Sequence, residues 1–302
     1  MNNVQKIIKE ICDEKNINFK LVSKDWIIIL EKNGITKYIV GYKFPLNDQA
    51  SGKICDDKYA LYDVIKQFCM PVCEHYIVFK NYDKDEIIKY CKKYEFNMVI
   101  KNNTGTCGND MYHVLKKQDV LNRIDELLAK NYSVSISPFY NIKTEYRVIV
   151  LNNNAELVYG KKRPIVVGDD KSTIYELLCA FNTKYFSSIQ KDESLNKVLG
   201  LNEVYEYNWQ FNLSKGSIPF MLNDENKEKK IKEMAIKIAK ILGVSFASID
   251  IIELVDGSML LLEANSGVMM DKFSELISNG KEIAKNIYTK AIEYMFNENS
   301  NN

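Results

Sequence analysis

The spacing of hydrophobic residues along the chain changes between the period of a helix and the period of a strand. Residues 4–15 carry apolar side chains at helical spacing, which predicts a short amphipathic helix. Two β-rich runs, 26–30 and 38–40, lie on either side of Asn33-Gly34, a dipeptide typical of a hairpin turn. The first 56 residues therefore predict a small α/β lobe.

The remaining residues predict a mixture of helices and strands. Helices are predicted over 57–68, 84–93, 118–130, 171–182, 226–242 and 280–294. Strands are predicted over 97–100, 111–115, 132–137, 146–151, 157–159, 246–253 and 258–264. Because the strands and helices do not alternate regularly, the pattern favours α+β lobes built around antiparallel sheets.

Composition narrows the class of protein. At 302 residues, of which 46% are hydrophobic, the chain is long enough for two or three packed lobes. It carries 41 Lys and Arg against 40 Asp and Glu, so its charge offers no general field for nucleic acid or a membrane surface. No apolar stretch approaches the roughly 18 residues of a membrane helix. We therefore expect no nucleic-acid partner and no membrane partner.

Cysteine and histidine usage points to a cytoplasmic protein without a His-based zinc site. The seven cysteines are scattered, contain no C-x-x-C pair and follow an N-terminus that is polar and charged. This usage is typical of free thiols in a reducing cytoplasm. The chain has two histidines, His75 and His113, for which packed or surface positions are the simpler interpretation.

The strongest local signal for chemistry is a pair of carboxylates near the C-terminus. Asp250 and Glu263 lie on two predicted strands joined by a turn at Asp256-Gly257, and Asn265 shares a strand face with Glu263. Oxygen ligands of this kind suit Mg²⁺, which takes its remaining ligands from water and phosphate. The alternative is a hairpin with ordinary exposed polar residues.

A second signal is the loop that follows the predicted strand ending at Ile100. Lys101 could place an ammonium on a phosphate, and Gly105 and Gly108 allow backbone N–H groups to turn toward it. The loop is not a Walker loop, because no G-K-[ST] follows. Taken alone, it is equally compatible with a plain turn.

A third signal is the segment T-E-Y-R at 144–147. Arg147 could bind a phosphate or a carboxylate in the bidentate way that a guanidinium favours. An isolated strand arginine is more often a surface residue. The cluster Lys161-Lys162-Arg163 is likewise usually a solvated patch.

Together and in this order, these pieces resemble the ATP-grasp superfamily, above all the modules of cyanophycin synthetase and bifunctional glutathione synthetase. The spacing of the last motif also resembles D-alanine–D-alanine ligases. The resemblance spans about residues 57–272. The segments that carry it are Asp57-Lys58 with Met70-Pro71-Val72, Val99-Ile100-Lys101 with Gly105 and Gly108, T-E-Y-R-V at 144–148 with V-V-G-D-D-K-S-T-I at 166–174, F-N-L-S-K-G at 211–216, and Asp250 with Glu263-x-Asn265.

The resemblance implies an α+β ATP-grasp fold, in which two α+β subdomains clasp ATP. They would cover residues 57–136 and 137–296, after an N-terminal α/β lobe at 1–56. It implies an ATP-dependent ligase that joins a carboxylate to an amine through an acyl-phosphate and releases ADP and phosphate. The implied partners are a carboxylate substrate and an amine substrate, with an amino acid or peptide among them; a homo-oligomer is an open alternative.

The resemblance also implies roles for individual residues. Two Mg²⁺ ions, for which Mn²⁺ could substitute, would be bound by Asp250, Glu263 and Asn265, with Glu263 bridging. Arg147 would steady the transferring phosphoryl group together with Lys101. The residues implied in ATP binding are Lys58 and Lys101 for the phosphates, Gly105, Thr106 and Gly108 in a closing lid, Ser137, Pro138 and Phe139 in a hinge beside adenine, and Lys161, Asn212 and Leu262.

The chain departs from the family pattern at several positions. Asn102 replaces the proline after the loop lysine, and Ser137 replaces a frequent hinge glutamate. Asn208 and Ser248 replace arginines that the family often has near the substrate carboxylate. Two other functions stay open: an ATP-grasp kinase that phosphorylates a hydroxyl, since the family contains a few, and a nucleotide-binding protein without turnover, which the missing arginines make plausible.

Overall fold

A computed structural model describes residues 1–106, 108–130, 132–190 and 192–297. Cys107, which falls within the predicted lid, lies outside the described residues. Among the described residues, no helix combines the length and the apolar character needed to cross a membrane.

The N-terminal segment forms a helix packed on a three-stranded antiparallel sheet. The predicted helix and hairpin are confirmed, and Asn33-Gly34 forms the turn between the last two strands. The sequence prediction did not include the additional first strand, in which Phe19 and Leu21 alternate with polar residues and pack partly buried on the core. The elements are α1 Asn3–Glu14, β1 Asn18–Val22, β2 Ile27–Lys32 and β3 Ile35–Val40, with strand order β1-β2-β3.

The next segment forms the smaller of the two sheets that enclose the cleft described below. Its antiparallel strands follow the order β4-β7-β5-β6, and helices α4 and α5 cover one face. The elements are α2 Gln49–Asp56, α3 Lys58–Gln67, β4 Tyr76–Val78, α4 Lys84–Lys92, β5 Met98–Asn102, β6 Met111–Val114, α5 Lys117–Ala129 and β7 Val134–Pro138.

The C-terminal part of the chain forms the larger sheet. Its antiparallel strands follow the order β12-β9-β8-β13-β14, while β10 and β11 form a separate ribbon. The elements are β8 Ile142–Leu151, β9 Asn154–Lys162, β10 Ile165–Val167, α6 Ile174–Phe181, α7 Thr183–Phe186, β11 Val204–Glu206, β12 Ile218–Met221, α8 Glu225–Leu242, β13 Phe246–Leu254, β14 Met259–Asn265, α9 Asp271–Leu276 and α10 Gly280–Asn297. The α+β class and the predicted antiparallel pairing are confirmed.

The side chains of β8 point alternately to the two faces of the larger sheet and lie in three different environments. Tyr146 and Val148 face one side, where α8 covers them in a continuous apolar core. On the other side, Ile149 and Leu151 pack against α1 and α10 in a core shared with the N-terminal lobe. Arg147 lies on the same side but beyond that core, so its end of the sheet is left for polar groups. The domain boundaries proposed from the sequence stay predictions.

Candidate active site

A cleft of about 1110 Å³ lies between the two sheets and the N-terminal lobe. Within the described part of the chain, its wall includes every residue to which the resemblance assigned a role, except Asp250. These residues are Lys58, Lys101, Gly105, Thr106, Gly108, Ser137, Pro138, Phe139, Arg147, Lys161, Asn212, Leu262, Glu263 and Asn265. Motifs far apart in sequence therefore meet at one surface, although their individual roles stay predictions.

Lys101 is a buried cation that lines this cleft. It lies on β5 and is 6% exposed, yet no described residue forms a hydrogen bond or ion pair with its Nζ. Burial, reinforced by the nearby charge of Lys58, lowers the pKa of Lys101 to about 8, although Glu263 acts in the opposite direction. A buried cation without a bonded partner is costly, and an anion in the cleft would supply one.

Lys58 holds the glycine-containing loop against the start of α3. Its Nζ donates to the carbonyl oxygens of Asn103 at 3.2 Å and Gly105 at 2.7 Å. Burial lowers the pKa of Lys58, and the charge of Glu263 opposes that shift. The loop is therefore fastened on one side by an ammonium that also lines the cleft.

Lys215 holds the other side of the loop. Its Nζ donates to the Gly108 carbonyl oxygen at 2.6 Å. Gly108 has a positive φ of 66°, and a Cβ there would lie 2.9 Å from Nδ2 of Asn212. Glycine is thus needed for both the backbone conformation and the close approach, and the loop covers this end of the cleft.

Aromatic rings cluster at the hinge end of the cleft, and we call the space beside them the aromatic slot. His113 stacks on Phe139 with ring centroids 3.8 Å apart, and Trp209 lies 5.7 Å from Phe139. The backbone N–H of Phe139 donates to the carbonyl of Asn97 at 3.0 Å, which fixes the predicted hinge. Burial lowers the pKa of His113 and so favours the neutral form of its ring. The sequence motifs did not identify His113 or Trp209, since neither lies in one.

The pairing of β13 with β14 places the predicted metal ligands on two adjacent strands. Glu263 lies opposite Asp250, and Asn265 lies opposite Ser248, on the paired strands β14 and β13. The side chains of Glu263 and Asn265 are half-buried at the cleft surface. Asp250 is fully buried behind them.

Two cations bind the Asp250 carboxylate. Arg147 donates to it from Nε at 2.8 Å and from Nη2 at 2.6 Å, and Lys161 donates at 3.4 Å. Burial acts to raise the pKa of Asp250, but the charges of Arg147 and Lys161 outweigh it and lower the pKa to about 2. Arg147 was predicted to steady a phosphoryl group; here its guanidinium lines the cleft while it binds Asp250.

Glu145 completes this buried network. It lies opposite Lys161 in the β8–β9 register and forms an ion pair with that lysine. Burial raises the pKa of Glu145 to about 7, although Lys161 opposes the shift. Glu145 stands in the T-E-Y-R motif, whose sequence could have identified it, and it also lines the cleft.

The oxygen donors at this surface fit a divalent cation bound together with phosphate. The described residues contain no group of three or more His, Cys, Asp or Glu side chains arranged for a metal ion. A cation here would therefore be held by Glu263, Asn265 and non-protein oxygens, with Asp250 behind them. Mg²⁺ is commonly bound by one or two carboxylates plus water and phosphate, so this donor set fits it.

Two antiparallel sheets enclose a cleft that contains a glycine-containing loop, a buried lysine and a D…E-x-N hairpin, and this fold is the ATP-grasp fold of the solved structures described below. Residues 196–292 match the family described as the RimK-like ATP-grasp domain. The chain is 25% identical over 264 residues to the α-aminoadipate–LysW ligase LysX of Saccharolobus solfataricus, a match covering 86% of this chain and 79% of LysX.

Solved structures share the fold. A bifunctional glutathione synthetase from Pasteurella multocida aligns with a TM-score of 0.58 and 17% identity, covering 96% of this chain. The chain spans 44% of the length of that synthetase. A D-alanine–D-alanine ligase from Bacillus anthracis aligns with a TM-score of 0.56 and 13% identity, covering 83% of this chain and 69% of the ligase.

Proposed function

We propose that this protein joins a carboxylate to an amine, with ATP converted to ADP and phosphate through an acyl-phosphate. The observation that carries the proposal is Lys101: a buried ammonium with no bonded partner among the described residues, in the same cleft as Glu263 and Asn265. The negative charge of a bound triphosphate would neutralise Lys101, and the metal ion bound to the triphosphate would be coordinated by Glu263 and Asn265.

Each part of the cleft has a place in this proposal. The stacked rings of His113 and Phe139 line the slot and suit adenine, which stacks on aromatic rings. Lys101 and Lys58 bind the phosphates, and the loop held by Lys58 and Lys215 covers them. Two Mg²⁺ ions at Glu263 and Asn265 would supply charge neutralisation for the transferring phosphoryl group, while the predicted ligand Asp250 is bound by Arg147 and Lys161.

Charge determines the first chemical step. A carboxylate oxygen of the substrate attacks the γ-phosphorus, the new O–P bond forms, and the bond to the ADP oxygen breaks. Both reactants are anionic, so the step needs cations placed in advance, and Lys101 is already desolvated there. Arg147 lines the same cleft, and we assign it to the transferring phosphoryl group.

The second step needs an amine and a dry cleft. The amine nitrogen attacks the acyl carbon, the bond to phosphate breaks, and the nitrogen loses a proton as the amide forms. Water would hydrolyse the same intermediate, so the loop over residues 102–110 has to stay closed. Its lysine contacts at Asn103, Gly105 and Gly108 support this role.

The cell compartment we propose is the cytoplasm. The six cysteines within the described part of the chain are free thiols, and four of them are buried. Unpaired cysteines of this kind are typical of a reducing compartment.

A coupled assay tests the proposed reaction. Phosphate release should require both a carboxylate and an amine, and hydroxylamine in place of the amine should trap the acyl-phosphate as a hydroxamate. A kinase would instead form a stable phosphorylated product without an amine. A protein without turnover would be stabilised by Mg·ATP yet release no phosphate. Either of these outcomes, over a broad panel of carboxylates, would contradict the ligase proposal.

A further inference from the structure

The end of the cleft away from the aromatic slot is formed by the N-terminal lobe. Trp26, Val40 and Tyr42 line it, and we call these three residues the apolar wall. Trp26 is 59% exposed and Val40 is 40% exposed, so large apolar surface faces the cleft. Concave sites with such surface usually bind an apolar part of a ligand.

The indole of Trp26 is fixed in place by Gly41. A Cβ on Gly41 would lie 2.7 Å from Cη2 of Trp26, so the ring rests directly on the glycine backbone. The N–H of Gly41 also donates to the carbonyl of Trp26 at 2.9 Å. The ring is therefore both exposed and preorganised, which reduces the entropy lost when a ligand binds to it.

The turn before Trp26 is strained and is held by α1. Ser23, Lys24 and Asp25 have φ values of 54°, 54° and 64°, in the left-handed region that side chains disfavour. Nε2 of Gln5 donates to the carbonyl of Asp25 at 2.6 Å and holds the turn. A strained turn that persists only because its surroundings fix it is consistent with a functional position for Trp26.

A direct contact joins the apolar wall to the predicted metal site. The N–H of Val268 donates to the carbonyl of Tyr42 at 3.1 Å. A Cβ on Gly267 would lie 3.5 Å from Cβ of Tyr42. Because this segment directly follows Asn265, a group lying on the wall would be close to the carboxylate that reacts with the γ-phosphate.

Charge at this end argues against a second carboxylate on the substrate. Lys43 forms an ion pair with Asp56, and Lys272 forms one with Glu275 at 3.0 Å. Both lysines line the cleft, but a carboxylate already neutralises each of them. An acidic side chain would have to displace one of these pairs, whereas an apolar side chain would not.

We propose that the apolar wall selects the carboxylate substrate, and that this substrate carries a large aromatic or branched aliphatic side chain with no second carboxylate. This assignment rests on the ligase function proposed above. Trp26 is then a specificity residue: its indole stacks on the side chain, while Lys101 and the metal ligands act on the phosphoryl group that the carboxylate attacks.

Hydroxamate formation measures this selectivity without knowledge of the amine. Phenylalanine and leucine should react with higher kcat/KM than glycine and glutamate. Trp26→Ala should lower kcat/KM for phenylalanine on the order of tenfold, within the range for a lost apolar contact, and should lower it much less for glycine, which has no side chain to lie on the indole. Tyr38→Ala is the matched control, because Tyr38 is a 54% exposed aromatic residue on the same sheet but outside the cleft. Equal losses in both variants, or a wild-type preference for glutamate, would overturn the proposal.

A binding measurement separates failure of this inference from failure of the proposed function. With a non-hydrolysable Mg·ATP analogue present, phenylalanine should raise the melting temperature of the wild type and of Tyr38→Ala, but not of Trp26→Ala. If phenylalanine stabilises the proteins in this pattern but no hydroxamate forms, the proposed role of the apolar wall is kept and the ligase function is refuted. Hydroxamate formation with no dependence on Trp26 would retain the ligase and refute the apolar wall.

Discussion

Replacing Lys101 with methionine should make the protein more stable and at the same time unable to bind ATP. The substitution keeps the length of the side chain and removes its charge. Lys101 is 6% exposed and no described residue bonds to its Nζ, so without nucleotide the charge is a cost to the fold. With nucleotide bound, the same charge becomes the phosphate contact.

The size of the effect follows from the pKa of Lys101. Burial lowers that pKa from 10.5 to about 8. Each pKa unit corresponds to about 1.4 kcal/mol, so the charge on Lys101 lowers the free energy of unfolding by about 3 kcal/mol. The thioether of methionine will not fit the site of the ammonium perfectly, which reduces the gain in stability. We therefore expect Lys101→Met to stabilise the protein by about 1–3 kcal/mol at pH 7.

The pH dependence has a defined sign. The unfolded chain binds the Lys101 proton more tightly than the folded chain, so wild-type stability rises with pH between about 8 and 10.5. Below pH 8 the full cost is present, and above 10.5 it is absent. The advantage of Lys101→Met should therefore shrink as the pH rises through this window.

Urea denaturation followed by tryptophan fluorescence measures these differences. Mg·ATP at about 100 times its Kd should add about 2.7 kcal/mol to the wild type and nothing to Lys101→Met. Lys58→Met is the matched control: it should lose stability, because Lys58 donates to the carbonyls of Asn103 and Gly105. If Lys101→Met were less stable than the wild type at pH 7, the ammonium would already have a partner, and the reasoning would be refuted.

Three further outcomes follow from the cleft. Glu263→Gln should abolish phosphate release, because it removes a charge that binds the metal ion. The melting temperature should stay unchanged, because Glu263 is only half-buried. Near-normal turnover would contradict the metal assignment. Asp250→Asn should lower the free energy of unfolding by about 3 kcal/mol, measured by urea denaturation, because Arg147 loses its buried counter-charge. An unchanged free energy of unfolding would show that the Arg147–Asp250 ion pair is not formed in solution. The kcat/KM for ATP should fall as the pH rises above about 8, where free Lys101 becomes neutral, and a flat profile through this pKa would contradict its role.

Much of the fold could be predicted because local patterns determine it. The Asn33-Gly34 turn fixed the first hairpin, and the Asp256-Gly257 turn fixed the strand pair that carries Glu263. Helix α2 was missed because it is short and contains Gly52, although Asp48 caps it by accepting from the N–H groups of Ala50 and Ser51. Strand β4 has three residues, too few for any period to be visible.

The contacts within the cleft were harder to predict because they depend on which strands become neighbours. Motifs indicated Arg147 and Asp250 separately, but their ion pair follows from the β8–β13 register. The stack of His113 on Phe139 likewise requires β6 and the hinge to meet in space. Residues of the N-terminal lobe such as Trp26 belong to no motif, so only the structure places them at the cleft.

A structure of the protein with Mg²⁺ and a non-hydrolysable ATP analogue tests the central claim most directly. We predict a phosphate oxygen within hydrogen-bonding distance of Lys101 Nζ, a metal ion on Glu263 and Asn265, and adenine in the slot beside Phe139. A nucleotide bound elsewhere, or phosphates in the cleft with Lys101 still lacking a partner, would contradict the account.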